Sequence, residues 1–169
     1  MANRVPFDDR GNENISIDDI SPLLLKDYLT KIDSRLAKAN FATDIETILD
    51  QMQLYDGPKE KRIIKNVAAM MFSEHPEKFF PTTQVDIVVF PKGREVDPEN
   101  FIEVPPIKGP VPMMIRNSLE YLRTNIIKER ITKPTDDERS LKVFNYPFQA
   151  LEEAVVNALY HRDYKEREP

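Results

Sequence analysis

Glu153 and Asn157 stand four residues apart in LEEAVVNALYHRDY, the run from Leu151 to Tyr164. One is a group that can take a proton, the other a carboxamide with an oxygen to offer, and the spacing puts both on one face of a helix. Successive helical residues are turned by about 100°. That rotation gathers Leu151, Ala154, Val155, Ala158 and, at the edges, Phe148 and Leu159 on an apolar side, with Glu153, Asn157 and Tyr160 displayed opposite. The same pattern also describes an amphipathic helix whose outer face is simply solvated, and spacing alone leaves both readings open.

Other groupings carry less chemistry. His161-Arg162-Asp163 resembles the catalytic loop of protein kinases, but the position five residues after Asp163 is Glu168 and not asparagine, and the chain has neither a glycine-rich loop nor Asp-Phe-Gly. The 2 histidines, His75 and His161, lie far apart with no thiolate to complete a metal site. No nucleophile elbow is present for a serine triad. Lys59, Lys61, Arg62 and Lys65 form a local basic cluster, interrupted by Glu60 and without interleaved aromatics, which suits a solvated surface better than a nucleic-acid face. Asp8, Asp9, Glu13, Asp18 and Asp19 lack the spacing and the glycine of a calcium loop.

Composition narrows the class. A chain of 169 residues with 40% hydrophobic content can bury a real core and form one domain of ordinary size or two small lobes. Its net charge of −5 gives no global attraction for phosphate backbones. With 0 cysteines, a disulfide framework, a thiolate metal site and a cysteine nucleophile are all excluded, a composition that suits a reducing cytoplasm. No apolar run approaches the roughly 20 residues of a membrane span, and Met1 to Ser16 lacks the apolar centre of a signal peptide.

The elements that must position Glu153 and Asn157 follow from local signals. Residues 1–16 read as a polar loop or arriving linker. Ser21-Pro22 opens a helix carrying Leu24, Leu25, Tyr28, Leu29 and Ile32, and Thr43 with Glu46 opens a second carrying Ile45, Ile48, Leu49 and Met52, ended by Asp56-Gly57-Pro58. Asn66 caps a short helix, Val67 to Phe72, buried nearly all round. Gln84 to Phe90 alternates as a strand. Ile115, Leu119, Leu122 and Ile126 mark a periodic helix; an extended piece, Ile127 to Ile131, and a charged loop precede the last helix, which starts at Asn145-Tyr146-Pro147. The fold class expected is α+β, helix-rich with few strands.

Glu153-Ala-Val-Val-Asn157-Ala-Leu-Tyr-His161-Arg162-Asp163-Tyr164 resembles the first motif of the GHKL-type ATP-binding module in a bacterial family of RecG-like, helicase-related transcriptional regulators, where it reads E-A-(L/V)-V-N-A-(V/L)-x-H-R-D-Y. The resemblance extends upstream through PFDDRGNENISIDD, NVAAMMFSEHPEKFFPTTQVDIVVF and IKGPVPMMIRNSLEYLRTNI, and so covers most of the chain. In that family this region lies between an N-terminal Schlafen/AlbA-type domain associated with nucleic acid and the C-terminal ATPase-like module.

The resemblance implies that Asn157 coordinates magnesium beside the nucleotide phosphates and that Glu153 orients or deprotonates the attacking water. His161, Arg162 and Asp163 match the extended nucleotide-binding signature. It implies ATP and magnesium as cofactors of the intact protein, DNA as a partner through other domains, a possible homodimer, and no membrane partner. Such a site also needs a later Asp-x-Gly-x-Gly loop, whereas Gly11, Gly57, Gly93 and Gly109 all precede Asn157. The expected organisation is a linker at 1–16, a connector domain at 17–133, a loop at 134–146, and at 147–169 the first helix of a truncated ATP-binding module, both ends resembling cuts in a larger protein. A free-standing interaction or dimerisation domain is the alternative.

Overall fold

A computed structural model describes residues 5–41, 43–132 and 141–164. The fold is helix-rich α+β. The described α-helices are α1 (Pro22–Lys31), α2 (Ile45–Gln51), α3 (Asn66–Phe72), α4 (Val111–Tyr121) and α5 (Phe148–Tyr160). Three antiparallel two-stranded ladders accompany them: β1 (Tyr55–Asp56) with β2 (Ile63–Ile64), β3 (Val88–Val89) with β4 (Ile102–Glu103), and β5 (Glu129–Thr132) with β6 (Leu141–Phe144). Among the described residues no helix is long and apolar enough to cross a membrane. The chain divides into two compact units: the first runs to Val111 and takes in Tyr164, and the second is Pro112–Asp163.

The first unit holds the main core, built by α1, α2 and α3. Leu25 and Leu29 of α1, Ile48 and Leu49 of α2, and Ala68, Ala69, Met70 and Phe72 of α3 are buried together with Ile20, Leu54 and Phe80. Each fully buried leucine or isoleucine contributes about 1.5–3 kcal/mol of transfer free energy. Ser21 is the N-cap of α1 and Pro22 takes its first position, as expected, but the Ser21 hydroxyl makes no capping hydrogen bond and donates instead to Glu74 Oε1 at 3.0 Å. In α2 the N-cap is Asp44 and not Thr43, whose hydroxyl donates to Asp44 Oδ1 at 3.0 Å.

Both α1 and α2 end in the same way. Asp33 (φ 52°) and Gln53 (φ 59°) occupy the left-handed position just after each helix. Ser34 N–H then donates to Leu29 O and Leu54 N–H to Leu49 O, each at 2.9 Å, closing the six-to-one hydrogen bond that satisfies a terminal carbonyl. Helix α2 therefore stops at Gln51, ahead of the Asp56-Gly57-Pro58 stop expected from sequence. Those residues instead begin the turn from β1 to β2. Gly57 has φ +84°, and a Cβ there would meet the Lys61 carbonyl oxygen at 2.6 Å, so this turn requires glycine.

Residues 5–16 are not a bare linker. Ile15 is buried and Phe7 packs on the core, its ring edge-on to Phe80 at 5.7 Å. The Arg10 and Asp8 carbonyls accept the Asn66 and Val67 N–H groups at 2.9 Å each, satisfying two of the donors that a helix start leaves open. Asn66, expected as the cap, lies inside α3 and is 4% exposed. Its side chain donates to Phe7 O at 2.8 Å and accepts from Asn12 Nδ2 at 2.9 Å. A polar, glycine-containing segment is thus spent on backbone capping.

Of the expected strand Gln84 to Phe90 only Val88–Val89 forms a ladder, with an isolated bridge at Val85. Val85, Ile87 and Val89 are half-buried while Asp86 and Val88 are exposed, so burial alternates from Val85 to Val89; Gln84, expected on the exposed side, is half-buried. Val85 bridges Ile107, and Val88 pairs with Glu103. The facing strand therefore carries one extra residue across Val104-Pro105-Pro106, where prolines have no N–H to give the ladder.

In the second unit the periodic helix is α4, followed by a π turn at Leu122–Ile126. Met114 and Ser118 are buried, and Ile115, Leu119, Leu122 and Ile126 are half-buried. The contact boundary at Val111/Pro112 falls inside the expected connector, 17–133, and β6 falls inside the expected loop, 134–146. Residues 133–140 of that loop lie outside the described residues, as do residues 165–169.

Candidate functional site

Helix α5 is held by its N-terminal approach. Asn145 lies at the end of β6, where its side chain substitutes for a peptide group. Its Oδ1 accepts the Lys128 N–H at 2.7 Å and the Tyr146 N–H at 3.0 Å, and its Nδ2 donates to Ile126 O at 2.9 Å. This clasp joins the end of the π turn to the residues that lead into α5. The Arg123 guanidinium stacks on the Phe148 ring at 4.3 Å, fixing the first turn of α5 to the same π turn. Pro147 sits at the N-cap and not inside the helix as expected; its missing N–H costs nothing there.

Along α5 the polar side is displayed as the 100° spacing requires. Glu153, Asn157 and Tyr160 are exposed, and Tyr160 is 79% exposed. Among the described residues no ion pair or hydrogen bond engages the Glu153 carboxylate or the Asn157 carboxamide. The apolar side is only partly covered. Leu159 is buried and Phe148, Leu151 and Val155 are half-buried, but Ala154 and Ala158, expected to face the core, are exposed.

Of the remaining motif residues, His161 is the C-cap of α5. Its N–H donates to Asn157 O at 2.9 Å, and its exposed ring stands edge-on to Tyr160 at 5.0 Å. One helical turn beyond Asn157, it continues the Glu153–Asn157 stripe. Arg162 and Asp163 follow the helix end, the first half-buried and the second exposed, both engaged by neighbouring groups. The chain thus brings Glu153, Asn157 and His161 into one row, with Arg162 and Asp163 on the segment after it. Among the described residues no three histidine or acidic side chains converge as a metal cage. A cation at Asn157 would need most of its oxygen ligands from a phosphate-bearing ligand and water, the usual situation for magnesium.

The basic cluster is largely neutralised. Lys65 Nζ reaches Asp9 at 2.6 Å, Arg62 reaches Asp50 at 3.1 Å and Lys61 approaches Glu13 at 3.8 Å. Arg62 also lies over the Tyr55 ring at 5.5 Å. Burial pushes the Tyr55 phenol above its ordinary value, reinforced by Glu46 and Asp50 and opposed by Arg62. His75 stands at the surface with its Nδ1 within hydrogen-bond distance, 3.2 Å, of Glu77 Oε1.

Sequence reasoning missed two asparagines. Local sequence suggests a helix start at Asn145 and a cap at Asn66, whereas each carboxamide also binds backbone groups distant in sequence: Lys128 N–H and Ile126 O for Asn145, Phe7 O for Asn66. Comparisons with protein-family models, with curated proteins and with solved structures find no match to this chain.

Proposed function

We infer that this chain is the connector segment of a multidomain, ATP-binding, DNA-associated transcriptional regulator of the RecG-like, helicase-related kind, and that α5 is the first helix of its ATP-binding module. The observation that carries this reading is the state of α5: Glu153 and Asn157 lie one turn apart on an exposed face with no engagement among the described residues. In the intact protein Asn157 would hold magnesium against the nucleotide phosphates and Glu153 would serve as general base. The glycine-rich loops come from other parts of that protein, and DNA is contacted through its other domains, in the cytoplasm. The segment itself relays nucleotide state or supplies a dimer surface and catalyses nothing.

Calorimetric titration with Mg-ATP tests the assignment. The 169-residue chain should show no micromolar binding, because Asn157 is only part of a site. Micromolar affinity in this chain, lost on Asn157→Ala, would show the pocket to be complete without further loops and would overturn the reading of α5 as a partial site.

A second reading draws on the apolar groups that α5 leaves in solvent: Ala154 and Ala158 are exposed beside the half-buried Leu151 and Val155. They suit a protein–protein or dimerisation surface with no nucleotide role. Sedimentation that gives a strict monomer, in this chain and in the intact protein, would remove that reading.

A further inference from the structure

We propose that the aromatic cleft of the first unit is a binding site for a planar heteroaromatic ligand, a free purine-type base or nucleoside. The cleft encloses about 900 Å³, within the usual range for small-molecule sites, and is lined by Phe7, Phe79, Phe80 and Tyr164 beside a polar rim. Phe80 is buried and forms the floor; Phe7 meets it edge-on, and Phe79 lies tilted against it at 6.2 Å. Phe7, Phe79 and Tyr164 are half-buried, and the Lys78 ammonium stands 5.1 Å from the Phe79 ring centroid. Flat aromatic walls favour a flat ring over an aliphatic chain, because stacking adds to the area that is buried.

The rim selects further. Asn66 spends Oδ1 on Asn12 and one N–H on Phe7 O, and Asn12 spends one N–H on Asn66. A carboxamide carries two N–H bonds, so each keeps a donor. Arg10 commits Nε and Nη2 to Val5 O and keeps Nη1. Asn14 adds an exposed carboxamide that no described group engages through its side chain. The unspent groups are mostly N–H donors, complementary to the ring nitrogens and carbonyl oxygens of a base edge. Arg10 and Glu13 balance in charge, so the cleft presents no cationic clamp of the kind a phosphate needs.

This site is separate from the nucleotide reading of α5. A nucleoside has no phosphate and requires no magnesium, so failure here leaves the Asn157 assignment standing. The test is titration of the 15N-labelled 169-residue chain with adenosine and with guanosine, read by chemical shifts. The expected result is saturable movement of the Asn12 and Asn66 side-chain amides, with a dissociation constant on the order of 0.1–1 mM for at least one nucleoside. Phe79→Ala should weaken it about tenfold, and Asn14→Ala, at an exposed position that leaves folding intact, about threefold, while Asn157→Ala leaves it unchanged. No saturable shift with either nucleoside would overturn the proposal. So would equal binding of cyclohexanol, which marks an unselective apolar crevice, or binding of a single-stranded oligonucleotide without binding of nucleosides.

Discussion

Two side chains carry more than their residue types suggest. Asn66 is an amide buried among apolar neighbours whose Oδ1 and one N–H are committed, so its removal strands the Phe7 carbonyl and the Asn12 amide. Leaving buried polar groups unpaired costs about 1–3 kcal/mol, and Asn66→Ala should lower urea-unfolding stability by that amount. Asp19 is the second. Its side chain, 14% exposed, accepts from Lys78 Nζ at 2.6 Å and from the Ser16 N–H and hydroxyl at 2.9 and 2.8 Å. The Lys78 bond, with help from Ser16 and against partial burial, holds its carboxyl below the usual carboxylate range. A depressed folded-state value means that the stabilisation is fully present above the unfolded value, near 3.8, and is lost as pH falls through the lower folded value. Asp19→Asn should therefore destabilise the protein by about 1 kcal/mol or less at neutral pH, as expected of a pair open to solvent on the lysine side, with the gap closing as pH falls through the lowered folded-state value. Chemical denaturation across pH checks it; a gap that persists at the lowest pH would assign Asp19 a role other than its charge. Neither arrangement was legible in sequence. The capping reading of Asn66 used neighbours within three residues, whereas its partners lie in a segment that read as linker.

At the scale of elements, what was legible is what local periodicity controls. The spacing of Leu25, Leu29, Ile48 and Leu49 placed α1 and α2 and their buried sides, and the strand at Val85 to Val89 shows the expected alternation. Helix ends were less legible because the sequence marks two of them with Asp33 and Gln53 in place of glycine at the left-handed position. That choice carries strain. Gln53→Gly should raise stability by about 0.5–1 kcal/mol in thermal unfolding, relief of the left-handed penalty outweighing the added freedom of the unfolded chain. A loss of stability would mean that the Gln53 side chain does more than tolerate its φ. The approach to α5 rests on Asn145, and Asn145→Ala should remove the hydrogen bonds to Lys128, Tyr146 and Ile126. Hydrogen exchange should then quicken at the Lys128 and Tyr146 amides and along the first turn of α5, with the core amides of α3 unaffected. Uniform quickening throughout would place Asn145 in global stability and not in the positioning of α5.

At the scale of the whole molecule, charge bears on whether the chain itself meets DNA. A net charge of −5, with Lys61, Arg62 and Lys65 each facing a carboxylate, leaves little to attract a phosphate backbone. The chain should not be retained on duplex DNA at about 0.15 M salt in a mobility-shift assay; tight, salt-sensitive retention would contradict that expectation. The candidate site was legible because its residues sit within one helix, where spacing dictates geometry. The cleft was not, because Phe7, Asn12, Asn66 and Phe79 meet only through the tertiary fold.

The central claim is that α5 carries the magnesium-nucleotide residues of the intact protein. Its most direct test is calorimetric titration of Mg-ATP into that intact protein and into its Asn157→Ala variant. The account predicts micromolar binding in the parent and a loss of at least about tenfold in the variant. Equal affinity in the two would contradict it.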